Sequence, residues 1–269
     1  MKDYKIFYND RIKNIKNMNE NSDLKNTAND FIEETSKFNY SYNFDWLSRP
    51  IIQYPQDIVA FQEVVWSVKP DLILEIGIAH GGSLILSASL LALIDLCENG
   101  QATVRPETKT PRRVIAVDID IRKNNRKALM AHPLYPRLKL IEGSSIGKNV
   151  IDQVKKETKG HNKILICLDS NHTHEHVLAE LEAYAPLTSP GSYCIVFDTV
   201  IEDLSSHMFT NRPWGPGNNP KTAVKEYLNR LQKEGRIAND GKPLQLKNNQ
   251  NIQDKLLITV APDGYLKRV

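Results

Sequence analysis

From Ile51 onward the apolar positions follow two alternating rhythms. Ile58, Phe61, Val64, Val65 and Val68 recur at helical spacing, and Pro70 stops that helix. Leu72-Ile73-Leu74-Glu75-Ile76 is an almost continuous apolar run, the pattern of a central parallel strand covered on both faces. It ends at Gly77, and Gly81-Gly82-Ser83 leads into an apolar helix over Leu84–Leu96. Further buried strands are predicted at Val114–Val117, Leu138–Ile141, Ile164–Leu168 and Tyr193–Phe197, with helices near Arg122–Ala131, Val150–Thr158 and Glu175–Tyr184. Such alternation specifies an α/β protein with a doubly wound, mostly parallel sheet. The right-handed crossover rule leaves few topologies for it.

The two ends depart from this rhythm. Residues 1–40 mix charged and amide residues with few apolar anchors, which predicts a helical N-terminal appendage over 1–45 preceding a main domain over 46–269. Residues 98–113 read as a polar surface excursion. Residues 205–220 form a loop rich in Pro, Gly, Asn and aromatic residues, with Asn219 a good N-cap, Pro220 in the first helical position and Gly235 a C-terminal stop. Leu256–Val260 and Tyr265–Val269 flank Asp263-Gly264, the signature of an antiparallel hairpin. Its two strands would bring the sheet to seven, and such an ending is typical of class I methyltransferases, an analogy at the level of fold.

Composition narrows the class without naming a function. The chain has 269 residues, 41% hydrophobic and 25% charged, which excludes disordered and collagen-like proteins and suits one sizeable core. A net charge of +3 calls for neither a nucleic-acid nor a membrane partner and leaves a homo-oligomer open. Cys97, Cys167 and Cys194 show no metal or redox spacing and read as buried free thiols in a reducing compartment, so a cytoplasmic location is expected. The opening residues lack a signal-peptide pattern, and Leu84–Leu96, interrupted by Ser87, Ser89 and Asp95, is too short to span a bilayer.

In an open parallel sheet, ligands bind beyond the carboxyl ends of the strands, where strand order reverses. The first predicted strand delivers Glu75 and Gly77 there, followed by Gly81, Gly82 and Ser83. A dinucleotide fingerprint would place Gly where Ala79 stands and an acid far sooner than Asp118, and Glu75 would repel a pyrophosphate. A zwitterionic ligand such as S-adenosylmethionine fits better. Acidic groups near the first loop can receive its ammonium, and helix N–H groups or Ser83 its carboxylate. Asp118 can accept both ribose hydroxyls, and Gly143-Ser144-Ser145 is placed to border the adenine. Each piece alone is compatible with an ordinary turn; the ordered set favours the cofactor.

The fourth strand is followed by Asp169-Ser170-Asn171-His172-Thr173-His174-Glu175-His176, and the fifth by Asp198. Asp169, His172 and Asp198 should therefore converge on the same face. The three histidines do not share one helical face, so His174 and His176 read as capping or packing residues. Methyl transfer to a sugar hydroxyl needs a general base or a cation that stabilises the nascent alkoxide. His172 suits the base because imidazole titrates near roughly 6.5. Asp169 and Asp198 suit Mg²⁺ through hard oxygen ligands. Tyr54 and Trp214 offer apolar faces to a sugar ring or serve ordinary packing, and the Trp214 loop would form a lid.

These runs, from Pro70 through Ser83, from Asp169 through Val177, and from Arg212 through Pro220, resemble the cephalosporin hydroxylase family. So do Lys255-Leu256-Leu257-Ile258-Thr259 and Gly264-Tyr265-Leu266, and the likeness covers roughly residues 45–269. The resemblance implies a class I methyltransferase fold, S-adenosylmethionine as cofactor and a hydroxyl of a small-molecule glycoside or glycan as acceptor. It implies that Glu75, Gly77 and Ser83 form the cofactor loop, Asp118 binds ribose, Asp169 binds metal and His172 is the general base. Phe197 stands where the family usually carries an acid, so one of three carboxylates is missing and the implied Mg²⁺ site is weakened. Two other readings stay open at this point, a cofactor-binding subunit without catalysis and an NAD-dependent oxidoreductase.

Overall fold

The structure is a computed structural model that describes residues 2–100 and 111–269. Most of the predicted surface excursion over 98–113 therefore lies outside the described residues. Two helices, α1 (Lys2–Glu20) and α2 (Ser22–Ser36), precede a short antiparallel ribbon of β1 (Phe44–Trp46) and β2 (Arg49–Ile51). Then come α3 (Pro55–Val68), β3 (Leu72–Ile76), α4 (Gly82–Asn99), β4 (Arg113–Asp118), α5 (Lys123–Met130), β5 (Leu138–Glu142) and α6 (Lys148–Glu157). The chain continues through β6 (Ile164–Leu168), α7 (His174–Tyr184), β7 (Tyr193–Val196), α8 (Pro220–Glu234), β8 (Leu246–Asn248), α9 (Gln250–Lys255) and β9 (Tyr265–Arg268).

Seven strands form one sheet in the order β5-β4-β3-β6-β7-β9-β8. The first five are parallel, while β9 runs antiparallel to both β7 and β8. This is the class I methyltransferase fold that the strand pattern predicted. Both faces are dry. Ile73, Leu165 and Ile195 pack with Val64, Leu84 and Leu91 on one side, and Leu74 and Ile166 pack with Leu181, Tyr184 and Tyr227 on the other. Residues buried on both faces explain why β3 and β6 read as continuous apolar runs rather than alternating ones.

The C-terminal hairpin departs from expectation. Leu256–Val260 is not a strand, and the partner of β9 on its outer side is β8. The turn is still made at Asp263, whose φ of 64° is left-handed, and Gly264, whose N–H donates to the Ala261 carbonyl. The residues before it are held elsewhere. The Val260 N–H donates to the buried Asp57 carboxylate, and its carbonyl accepts from the Val200 N–H. A side chain of α3 thus occupies the hydrogen-bonding group that a ladder would have used. A smaller correction concerns Cys97, which is exposed near the end of α4, whereas Cys167 and Cys194 are buried free thiols as expected.

Register brings the site residues level. Ile76 pairs with Val117 on one side and with Leu168 on the other, and Leu168 pairs with Val196. Gly77, Asp118, Asp169 and Phe197 consequently leave the sheet side by side, beyond the reversal of strand order between β3 and β6. Among the described residues no helix is long and apolar enough to cross a membrane.

Candidate active site

The cofactor end starts from the turn between β3 and α4. Gly77 has φ 98°, and a Cβ there would lie 2.1 Å from the Asp169 carbonyl oxygen, so the glycine lets the β3 and β6 loops touch. Gly81, with φ 84°, caps α4, and the intervening Ala79 is also left-handed at φ 46°. Asn125 donates to the Ala79 carbonyl, and the Arg49 guanidinium donates to the His80 carbonyl and to Asn125. These bonds hold a turn that an alanine adopts only at some cost.

Asp118 ends β4 at the expected place. One of its carboxylate oxygens accepts the Ile78 N–H at 2.8 Å and the other the Asp120 N–H at 3.0 Å. Each oxygen keeps a further lone pair for a ligand. Glu75 is buried beneath α4, accepting from Ser87 at 3.2 Å and bonding to Ser83. Burial pushes its carboxyl up to about 7, against the pull of the two hydroxyls. Ser144 is half-buried after β5, and its carbonyl accepts the Gly147 N–H.

At the acceptor end, Asp169, His172 and Asp198 converge. One ligand atom from each lies within 4.8 Å of the other two, and His172 Nε2 is 3.3 Å from Asp198 Oδ2. Asp198 sits at φ 55°, a left-handed conformation that turns the chain sharply after β7. Loss of solvent, with the charge of Asp198 next in importance, drives the Asp169 carboxyl well above the usual range. The imidazole of His172 meets the Trp214 ring edge-on, with centroids 4.7 Å apart. His172, Asp198, Trp214 and Tyr54 all line a cleft of about 690 Å³.

The Trp214 loop is fastened on both sides. Glu202 accepts from the Gly217 N–H at 2.7 Å and from the Asn219 amide, and Asn218 accepts the His174 N–H at 2.9 Å. His174 is bonded to Thr222 and Glu226 of α8, and His176 to Ser145 and the buried Glu180. Both histidines therefore join elements together, as capping or packing residues should.

The sequence model described as rhamnosyl O-methyltransferase/CmcI matches residues 38–269. The chain belongs to that family. The match bears out the likeness to the cephalosporin hydroxylases, and it sets aside the oxidoreductase reading. Relatives of known name include the rhamnosyl O-methyltransferases of Mycobacterium tuberculosis and Mycobacterium bovis, each 29% identical over 79% of this chain and 73% of theirs. That of Mycobacterium leprae is 28% identical over 68% of this chain and 69% of its own. Among solved structures, CmcI in its magnesium and S-adenosylmethionine form superposes with a TM-score of 0.53 at 15% identity, covering 85% of this chain and 77% of CmcI, a likeness of fold.

The residues present fit the two groups that the family implies. Glu75, Asp118 and the amino end of α4 offer acceptors and donors suited to a cationic amino acid carrying a ribose. Two carboxylates and an imidazole, with the Asp169 carboxyl raised by burial and then by the charge of Asp198, are a donor set suited to a divalent cation. Phe197 is 8% exposed and packs among core side chains, so no third carboxylate is present at that position. Two contributors escaped the sequence reading. The Arg49 brace lies in β2, a three-residue strand with no apolar period, and the proximity of α2 to the cleft leaves no local signal at all.

Proposed function

We propose that this family member transfers the methyl group of S-adenosylmethionine to a hydroxyl of a sugar, free or within a glycan. The observation that carries this reading is the meeting of Asp169, His172 and Asp198 at the carboxyl edge of the sheet, where His172 and Asp198 line a cleft that also holds Trp214 and Tyr54. The names of the mycobacterial relatives point the same way. Glu75, Gly77, Gly81, Ser83, Asp118, Ser144 and Asp169 are the proposed cofactor contacts. Residues 46–269 make up the proposed methyltransferase domain, to which residues 1–45 are appended. Supply of the cofactor and unpaired cysteines support a cytoplasmic place of action.

S-adenosylmethionine supplies an electrophilic methyl group on sulfonium sulfur. The acceptor oxygen forms the new C–O bond as the C–S bond breaks, and S-adenosylhomocysteine leaves. Asp198 faces His172 Nε2, orienting the ring and stabilising the imidazolium, and the hydroxyl proton goes to the other ring nitrogen, Nδ1. Trp214 fixes the other side of the ring and excludes water. Asp169 and Asp198, with His172 adjacent, would hold Mg²⁺, whose chemistry is to lower the affinity of the hydroxyl for its proton.

Calorimetric titration should give saturable S-adenosylmethionine binding, abolished by Asp118→Ala; no binding to the unmodified chain overturns the reading. His172→Ala should keep cofactor affinity and lose transfer by about 100- to 10,000-fold. Unchanged turnover in that variant removes His172 from the mechanism. A chain that binds cofactor yet methylates nothing, with or without Mg²⁺, is the non-catalytic subunit instead.

A further inference from the structure

The cleft has a wall that the family match does not include. Matching residues begin at 38, whereas Ile32, Glu33, Glu34, Ser36 and Lys37 of α2 and its C-terminal cap line the same cleft as His172 and Asp198. This wall is anchored rather than leaning. Ile32 is 4% exposed and packs with Tyr54, Val200 and Leu204. One oxygen of Glu33 accepts both the N–H of Ser205, at 2.9 Å, and its hydroxyl. Thr35 bonds to the Tyr54 hydroxyl. Three attachments thus fix one helical turn against the loop after β7 and the start of α3.

The two sides of the cleft differ in chemistry. Val200, Ile201, Leu204, Met208 and Val260 give an apolar floor beside the candidate catalytic residues. The α2 side presents a carboxylate and an ammonium group, Glu34 and Lys37, paired with each other at 2.6 Å and largely exposed. An exposed ion pair of this kind contributes little to stability. Its donors and acceptors remain available to neutral hydroxyl groups that enter the cleft, since each charged group has more hydrogen-bonding positions than the pair uses. A sugar ring has that make-up, with an apolar face of C–H groups and a rim of hydroxyls.

We infer that α2 is the acceptor-selecting wall of the cleft, with Glu34 and Lys37 binding hydroxyls of the sugar on the side away from the transferred methyl group. The inference rests on the sugar-methyltransferase reading and deepens it. It also places acceptor choice in a stretch outside the family match, so members sharing the catalytic edge can differ in the sugar they take.

The test uses the full chain, S-adenosylmethionine and methyl glycosides of hexoses and 6-deoxyhexoses, with methyl α-L-rhamnopyranoside as the first probe. Lys37→Ala and Glu34→Ala should each raise the acceptor KM at least fivefold. Both should leave kcat and the cofactor Kd within twofold. Lys16→Ala, on the exposed face of α1, should change none of the three. A KM within twofold of the parent for both α2 variants overturns this inference and leaves the proposed activity standing. Cofactor binding without turnover of any glycoside by the unmodified chain overturns the sugar reading, and this inference with it.

Discussion

Glu75 and Asp57 are carboxylic acids placed where water is scarce, and each responds to pH in a calculable direction. Burial raises the Glu75 carboxyl to about 7 and that of Asp57 to about 6. A raised folded pKa means that the folded chain holds a proton the unfolded chain has released. Stability is therefore greatest below the unfolded values and falls as pH rises toward 6 and 7. For Glu75 the full loss is about 3 kcal/mol, at roughly 1.4 kcal/mol per pH unit. Glu75→Gln should flatten the decline in thermal midpoint of the cofactor-free chain between about pH 4.5 and 7. An unchanged slope would mean that water in the adjoining cavity of about 30 Å³ already solvates the carboxylate. The same residue explains a difficulty of reading from sequence. Glu75 stands within an apolar strand, and only the packing of Ser83 and Ser87 above it shows that it is bonded to α4.

At the scale of elements, helix ends and strands were legible because their signals are local. Asn219 caps α8 through the Lys221 and Thr222 N–H groups in a reciprocal capping box, and Gly235 ends the helix at φ 63°. Asn219 also donates to Glu202 and to the Gly215 carbonyl, so the cap and the Trp214 loop share one side chain. Asn219→Ala should lower unfolding free energy by about 1–2 kcal/mol, measured by denaturant titration, because cap and loop bonds are lost together. Leu72–Ile76 and Ile164–Leu168 coincide with the predicted strands for a similar reason, dry packing on both faces. The failed strand at Leu256–Val260 shows the opposite case. Its apolar pattern is present, but Asp57, distant in sequence, claims the Val260 N–H. The convergence of Asp169, His172 and Asp198 followed from strand order and could be anticipated. The nearness of α2 depended on Ile32, Glu33 and Thr35 meeting remote partners, which no periodicity encodes.

The whole molecule is unevenly held. Tyr4, Ile6, Phe7, Tyr8 and Ile12 of α1 are exposed, whereas Leu72, Ile73, Leu74, Val114 and Leu165 of the sheet are fully buried. Hydrogen exchange should therefore be fastest in α1, slower in α2 with its Ser205 and Tyr54 attachments, and slowest in β3, β4 and β6. Equal protection of α1 and β3 would contradict this ordering. The position of β9 sets a further condition. It is later in sequence than every other strand, yet it lies between β7 and β8 rather than at an edge. Gly264 seats it closely, since a Cβ there would lie 2.1 Å from the Val196 carbonyl oxygen. During synthesis β7 must wait with one side unpaired, and β8 has no neighbour, until Tyr265–Arg268 has left the ribosome. A chain truncated after Gly264 should remain open to protease around β7 and β8, whereas the full chain should be protected at both.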